Sequence, residues 1–173
     1  MILKCRKLVN HAKLPVKAGS EEAGFDWFAA EDKTLTPIWF ANTDVEMFRN
    51  SLINSGGKYD ERLDALFGLG HCRSKISTGI ACQIPKGHYG QFFGRSGLAD
   101  KWGVAVLGGV IDCTYRGEVK IILMNLGEKE LSVKPGDKIA QMVILPVPEI
   151  TVEEVISLDE SERGLNGFGS TGQ

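Results

Sequence analysis

The residues best suited to chemistry lie in five short segments, the last at the C-terminus. There, Arg163-Gly-Leu-Asn-Gly-Phe-Gly-Ser-Thr-Gly-Gln173 sets one cation and two hydroxyls among glycines. Glycine lets a backbone approach a ligand closely and turn its N–H groups toward an anion. The guanidinium of Arg163 and the hydroxyls of Ser170 and Thr171 add donors suited to phosphate oxygens. Phe168 stands alone among small residues, with nothing nearby to bury it in a core, which suits a flap that stacks on a nucleobase. Taken by itself, the stretch also reads as a disordered Gly/Ser tail of the kind common at chain ends.

Four internal segments join it. Ala23-Gly-Phe-Asp-Trp-Phe-Ala-Ala30 places Asp26 in an otherwise apolar strand, and a buried carboxylate requires a cation or a bound ion. In Gly94-Arg-Ser-Gly-Leu-Ala99, Arg95 and Ser96 beside glycine form a compact anion site, opening a short helix whose N-terminus adds positive potential. An apolar approach in Gly108-Gly-Val-Ile-Asp-Cys-Thr-Tyr-Arg-Gly117 delivers Asp112 to a turn, with Tyr115 three residues on. Gly136-Asp-Lys-Ile-Ala-Gln-Met-Val143 is a turn feeding a strand that carries Gln141. Each segment alone has a plain reading too: Asp112 capping a turn, Arg95 in a surface ion pair, Tyr115 in the core.

The elements that must position these residues are mostly strands. Ile80, Cys82 and Ile84 alternate before the Pro85-Lys86-Gly87 turn, and Val119, Ile121 and Leu123 alternate up to Asn125-Leu-Gly127. Leu131 and Val133 lead into the turn Pro135-Gly-Asp137, and Ile139 to Val147 forms another apolar strand. The chain carries 21 glycines in 173 residues, well above the usual share of about 7%, as a turn-rich β fold requires. Strands spaced this closely favour an antiparallel barrel or jelly roll over βαβ units.

One stretch departs from this pattern. From about Thr43 to Gly70 the apolar period changes to roughly 3.6 residues. Val45, Phe48, Leu52 and Ile53 share one face behind a capping box at Thr43-Asp-Val-Glu46, and Ser55-Gly-Gly57 supplies a stop. Tyr59, Leu63, Leu66 and Phe67 make a second stripe. These features predict a helical hairpin at 43–70 within an insertion spanning 37–72, which also reads as a lid covering core surface.

Length predicts one domain over 1–173, with a flexible Gly-rich arm at 157–173. A net charge of −2 leaves no basic footprint for nucleic acid. No apolar run reaches the length of a membrane span and no signal-peptide pattern opens the chain, so cytoplasm is expected, or nucleus in a cell that has one. The four cysteines show no C-x-x-C pair and the three histidines no ligand spacing, which argues against a protein-built zinc site and for individually placed thiols.

In this order, the five segments resemble the five motifs of the trimeric dUTPases, from about Ala23 to Gly172 with the helical insertion between the first and second. The third segment and the Gly-Phe-Gly-Ser-Thr-Gly ending lie closest to the family pattern. The resemblance implies an all-β jelly-roll or distorted-barrel subunit of a homotrimer, with active sites at subunit interfaces. It implies hydrolysis of dUTP to dUMP and pyrophosphate, limiting uracil in DNA, with Mg²⁺ held largely by the triphosphate. By the same resemblance Asp112 orients and deprotonates the attacking water, and Tyr115 packs against the deoxyribose where a 2′-hydroxyl would clash. Arg95, Ser96, Gly97 and Gln141 match phosphate contacts. Asp26 matches the first-motif acid, acting through Mg²⁺-bound water or by orienting a neighbour. In the arm, Arg163, Gly169, Ser170 and Thr171 match the phosphate-binding strap, and Phe168 the ring over uracil in another subunit's site.

Uracil selectivity has its own physical account. A base docked on the backbone around Gly108-Gly109 would offer N3–H to a carbonyl and O4 to an amide. Cytosine presents the opposite pattern and would leave two buried groups unpaired. The chain departs from the family at Leu165-Asn166, at the bulky Trp27 and at the insertion. Two other readings compete: a dCTP deaminase-like enzyme of the same fold, and a nucleotide-sensing regulator acting on a protein partner through the insertion.

Overall fold

Alternating apolar residues become ten short strands in the computed structural model, which describes residues 1–37, 72–162 and 164–165. In chain order these are β1 (Lys4–Lys7), β2 (Phe25–Phe28), β3 (Lys33–Leu35), β4 (Arg73–Gln83) and β5 (His88–Phe93). After helix α1 (Ser96–Trp102) come β6 (Val104–Leu107), β7 (Val110–Asp112), β8 (Glu118–Asn125), β9 (Leu131–Val133) and β10 (Lys138–Pro146). They pair antiparallel in two four-stranded sheets, β1-β4-β8-β6 and β2-β10-β5-β7, with β3 and β9 as a separate ribbon. The expected all-β jelly-roll architecture is therefore present. The hairpin expected at 43–70, and any partner surface on it, lies outside the described residues.

The core forms where the inward faces of the two sheets meet. Ile76, Ile80, Val119, Ile121 and Leu123 come from one sheet, and Trp27, Phe92, Ile139 and Met142 from the other. Trp27, a bulky departure in the first motif, fills this space with its ring edge-on to Phe92, centroids 5.4 Å apart. Burying such side chains stabilises by about 1.5–3 kcal/mol each. Asn125 is one of the polar residues buried there, and it is satisfied: its amide donates to the Leu35 and Lys129 carbonyls at 2.9 and 2.8 Å and accepts from Gly127 N–H at 3.0 Å.

Two local devices set the registers that matter below. Lys134-Pro-Gly-Asp137 closes as a turn, with Asp137 N–H donating to the Lys134 carbonyl at 3.0 Å and Gly136 at φ +93°. On β4, pairing with β8 slips between Ser77 and Ala81. Gly79 sits inside this bulge at φ +63°, where an added Cβ would fall 2.6 Å from Val9 Cγ2.

The cysteines are less isolated than their spacing suggests. Cys5 on β1 lies directly opposite Cys82 on β4, a proximity created by strand register and invisible in the sequence interval. Burial pushes the Cys82 thiol up to about 11, the Cys5 thiol beside it acts in the same direction, and Arg116 opposes them. Among the described residues, no helix is long and apolar enough to cross a membrane.

Candidate active site

Three neighbouring strands assemble the first cluster. Asp26 on β2 stands opposite Gln141 on β10, which stands opposite Phe93 at the end of β5. The chain leaving β5 brings Arg95 back over this corner, at the N-cap of α1 with extended backbone. Its Nε lies 3.3 Å from Asp26 Oδ1, and Lys138 Nζ lies 2.7 Å from Asp26 Oδ2. The Asp26 side chain is only 14% exposed, against 34% for Arg95 and 40% for Lys138, so one shielded carboxylate aligns two cations that still reach solvent. Arg95 also donates to the Lys138 carbonyl at 3.4 Å, and Gln141 Nε2 donates to the Gly94 carbonyl at 3.2 Å. A cavity of about 390 Å³ opens here, lined by Asp26, Arg95, Ser96, Gly97, Lys101 and Gln141 among others.

Asp26 thus meets the cations that its burial demanded. Lys138 was absent from the sequence-based site, although it lies in the same segment as Gln141. Its pairing depends on a register shift between Lys138 and Ala140, for which no sequence spacing is diagnostic.

The second cluster hangs on the opposite edge of the same sheet. Edge strand β7 ends at Asp112, opposite Tyr89 of β5. The next residues turn at once, with Tyr115 N–H donating to the Asp112 carbonyl at 3.1 Å. The Tyr115 ring remains 45% exposed, and its hydroxyl donates to the Glu118 carbonyl at 2.9 Å. Arg116 braces the turn by donating to the Cys113 and Tyr115 carbonyls at 2.6 and 2.8 Å. Asp112 itself is exposed, and among the described residues no donor meets its carboxylate, which leaves it open to water.

Before β7, Gly108 and Gly109 carry the chain across from β6 in the other sheet, at φ +73° and +92°, beside a cleft of about 370 Å³ lined by residues 106–111, Phe92 and residues 120–122. The Gly109 carbonyl already accepts the Phe92 N–H at 2.8 Å. A base read by this crossover would therefore use peptide groups turned away from β5.

The clusters do not meet within one chain. Asp112 and Gln141 are two strands and four register positions apart, roughly 16 Å at ordinary sheet spacings. A water at one phosphorus cannot be reached from both. Arg163, Phe168, Gly169, Ser170 and Thr171 lie outside the described residues. Also among the described residues, no three His, Cys, Asp or Glu side chains converge on a possible metal position. Both Asp26 oxygens already hold cations, so this donor set alone is not a cage for a metal ion.

The same arrangement of segments has known relatives. A family model described as dUTPase matches residues 62–172. A deoxyuridine 5′-triphosphate nucleotidohydrolase of Clostridium tetani is 42% identical over 99% of this chain and 97% of its own. The chain belongs to the dUTPase family. A relative of the same name from Paramecium bursaria Chlorella virus 1 is 35% identical over 98% of this chain and 97% of its own. The fold likewise matches the dUTPase of Staphylococcus bacteriophage 80alpha with dUpNHpp, at a TM-score of 0.75 and 24% identity, covering 99% of both chains. It also matches a mutant dUTPase from phage phi11 of S. aureus, solved for the coordination of a structural Mg(II) ion, at a TM-score of 0.67 and 22% identity. That match covers 92% of this chain and 100% of the phage chain.

Proposed function

We propose that this dUTPase-family chain hydrolyses dUTP to dUMP and pyrophosphate in sites completed between the subunits of a homotrimer. The observation that carries the reading is the division of the family's motif residues between two distant edges of one sheet. Each edge alone is half a site. In a closed trimer, the Asp112 edge of one subunit can face the Arg95 edge of the next, repeated three times.

The chemistry follows from the groups on each edge. Asp112 accepts a proton from a water as it attacks the α-phosphorus, and a base so placed contributes about 10²–10⁴-fold. Tyr115 lies flat against the deoxyribose and leaves no space for a 2′-hydroxyl. On the neighbouring subunit Arg95, Ser96, Gly97 and Gln141 take the phosphate oxygens, held ready by Asp26 and Lys138. The charges lining that cavity nearly cancel, Arg95 and Lys101 against Glu22 and Asp26. A triphosphate therefore needs further positive charge. Mg²⁺ bound to the phosphates would neutralise and polarise them, with Asp26 placed to hold one of its waters. Arg163, Ser170 and Thr171 on the arm add donors, while Phe168 covers the base. Backbone groups of the 108–110 crossover pair with uracil and leave cytosine unsatisfied.

The test is pyrophosphate release across all four common deoxynucleoside triphosphates, dUTP and UTP, with sedimentation of the same sample. The reading predicts turnover of dUTP far above that of every other nucleotide, UTP included, by a trimer. Ammonia release from dCTP would replace it with the deaminase reading.

A further inference from the structure

We infer that Glu118 is a positioning residue for Tyr115, and that it thereby sets how strictly the site separates deoxyribose from ribose. The inference rests on Tyr115 being the ring that faces the sugar. That ring is half-exposed, and among the described residues it is held by a bond from its hydroxyl to the Glu118 carbonyl at 2.9 Å, together with close contact on Gly117. An added Cβ on Gly117 would lie 2.5 Å from the Tyr115 hydroxyl oxygen, so the ring folds back over a position that tolerates no side chain. The pose is therefore only as firm as the carbonyl that accepts the bond.

Glu118 makes that carbonyl firm. Its Oε1 accepts the Gly79 N–H at 2.9 Å and the Ser77 hydroxyl, and its Oε2 pairs with Lys120 at 3.3 Å. The next carbonyl, of Val119, accepts the buried Thr78 hydroxyl at 2.6 Å. These contacts plug the bulge where β4 slips against β8, and they tie the start of β8 to its neighbour β4 in the same sheet. Exclusion of a 2′-hydroxyl is a steric test, and a ring able to retreat by about an ångström fails it. Glu118, though it touches no nucleotide, fixes the wall that applies the test.

The experiment compares kcat and KM for dUTP and UTP in the wild-type enzyme, Glu118→Ala, Glu118→Gln, Ser77→Ala and Tyr115→Phe. Glu118→Ala should cut the dUTP-over-UTP preference roughly 3- to 10-fold, mainly through KM, the size expected from losing one hydrogen bond's worth of order. Glu118→Gln should keep most of the preference, because its amide oxygen still accepts from Ser77 and Gly79. Tyr115→Phe combined with Glu118→Ala should do no more than the larger single change, since both act on one ring. A folded Glu118→Ala enzyme with wild-type preference would overturn the inference, as would fully additive effects. If Glu118→Ala does not fold, Ser77→Ala carries the same comparison. Tyrosine ring NMR gives a nucleotide-free readout, since the chain has three tyrosines. The Tyr115 signal should change in Glu118→Ala and be restored in Glu118→Gln, and an unmoved signal contradicts the inference. A wild-type enzyme inactive on dUTP would instead overturn the functional reading and leave this NMR result to decide the coupling.

Discussion

The phosphate edge of the site is built from parts far apart in sequence, whereas the Asp112 edge is built almost entirely within one turn. Asp26, Arg95 and Lys138 come from three separate segments, joined by charge across two strand registers. Asp112, Tyr115 and Glu118 lie within seven residues and are joined by hydrogen bonds three positions apart. The first arrangement sets two cations from separate segments on one shielded carboxylate, which a single short segment cannot do. The second leaves an unpaired carboxylate and an aromatic face at an exposed edge, as the proposed sharing of a site between subunits requires. A residue lost from the first edge should therefore weaken binding, and a residue lost from the second should slow the chemical step or relax selectivity.

The largest expected effect is on the Asp112 edge. Asp112→Asn should lower kcat by about 10²–10⁴-fold while a non-hydrolysable dUTP analogue binds as before. A near-normal rate would remove Asp112 as the base and erase the contrast between the edges. Next in size, Arg95→Ala should lower kcat/KM by roughly 10- to 100-fold through KM, the scale of a charge-assisted hydrogen bond to phosphate. A fall in kcat alone would mean that the cation acts on the transition state only.

Asp26→Asn should be milder on catalysis, raising KM several-fold as Arg95 and Lys138 lose their common anchor. Thermal melting should also show a loss of about 1 kcal/mol of stability, kept small because both cations are partly screened by solvent. If KM is unchanged, Asp26 is a fold residue rather than an organiser of the phosphate edge.

The smallest effect concerns pH. Burial raises the Glu118 carboxyl, but hydrogen bonds from Ser77 and Gly79 and the Lys120 charge outweigh it and hold the group below its ordinary 4.5. A depressed carboxylate stabilises the fold fully above its unfolded value and loses that contribution as pH falls through its folded value. The difference in melting temperature between wild type and Glu118→Gln should be constant near neutrality and shrink as pH drops below about 4.5. A difference that grew on acidification would have the wrong sign for this linkage.

The contrast between the edges also explains what was legible beforehand. The turn at Asp112-Cys-Thr-Tyr115 and the short helix after Gly94 are local, so residue type and spacing were enough to expect them. Alternation placed β4, β8 and β10 correctly for the same reason. Lys138 and Glu118 were not legible, because each acts through a slipped register: one between Lys138 and Ala140, the other between Ser77 and Ala81. A slip redirects a side chain without changing the alternation that announces the strand. Cys5 and Cys82 teach the same lesson, being 77 residues apart in sequence yet paired across β1 and β4.

The central claim is that each working site takes Asp112 from one subunit and Arg95 from another, and subunit mixing tests it directly. Asp112→Asn and Arg95→Ala chains are refolded together in equal amounts and assayed for pyrophosphate release at dUTP well below the wild-type KM, where each variant alone is strongly impaired. Random assembly of shared sites should restore about one quarter of wild-type activity, because one site in four pairs an intact Asp112 with an intact Arg95. Sites contained within single chains would never combine the two intact residues, and activity that stays at the level of the separate variants would contradict the account.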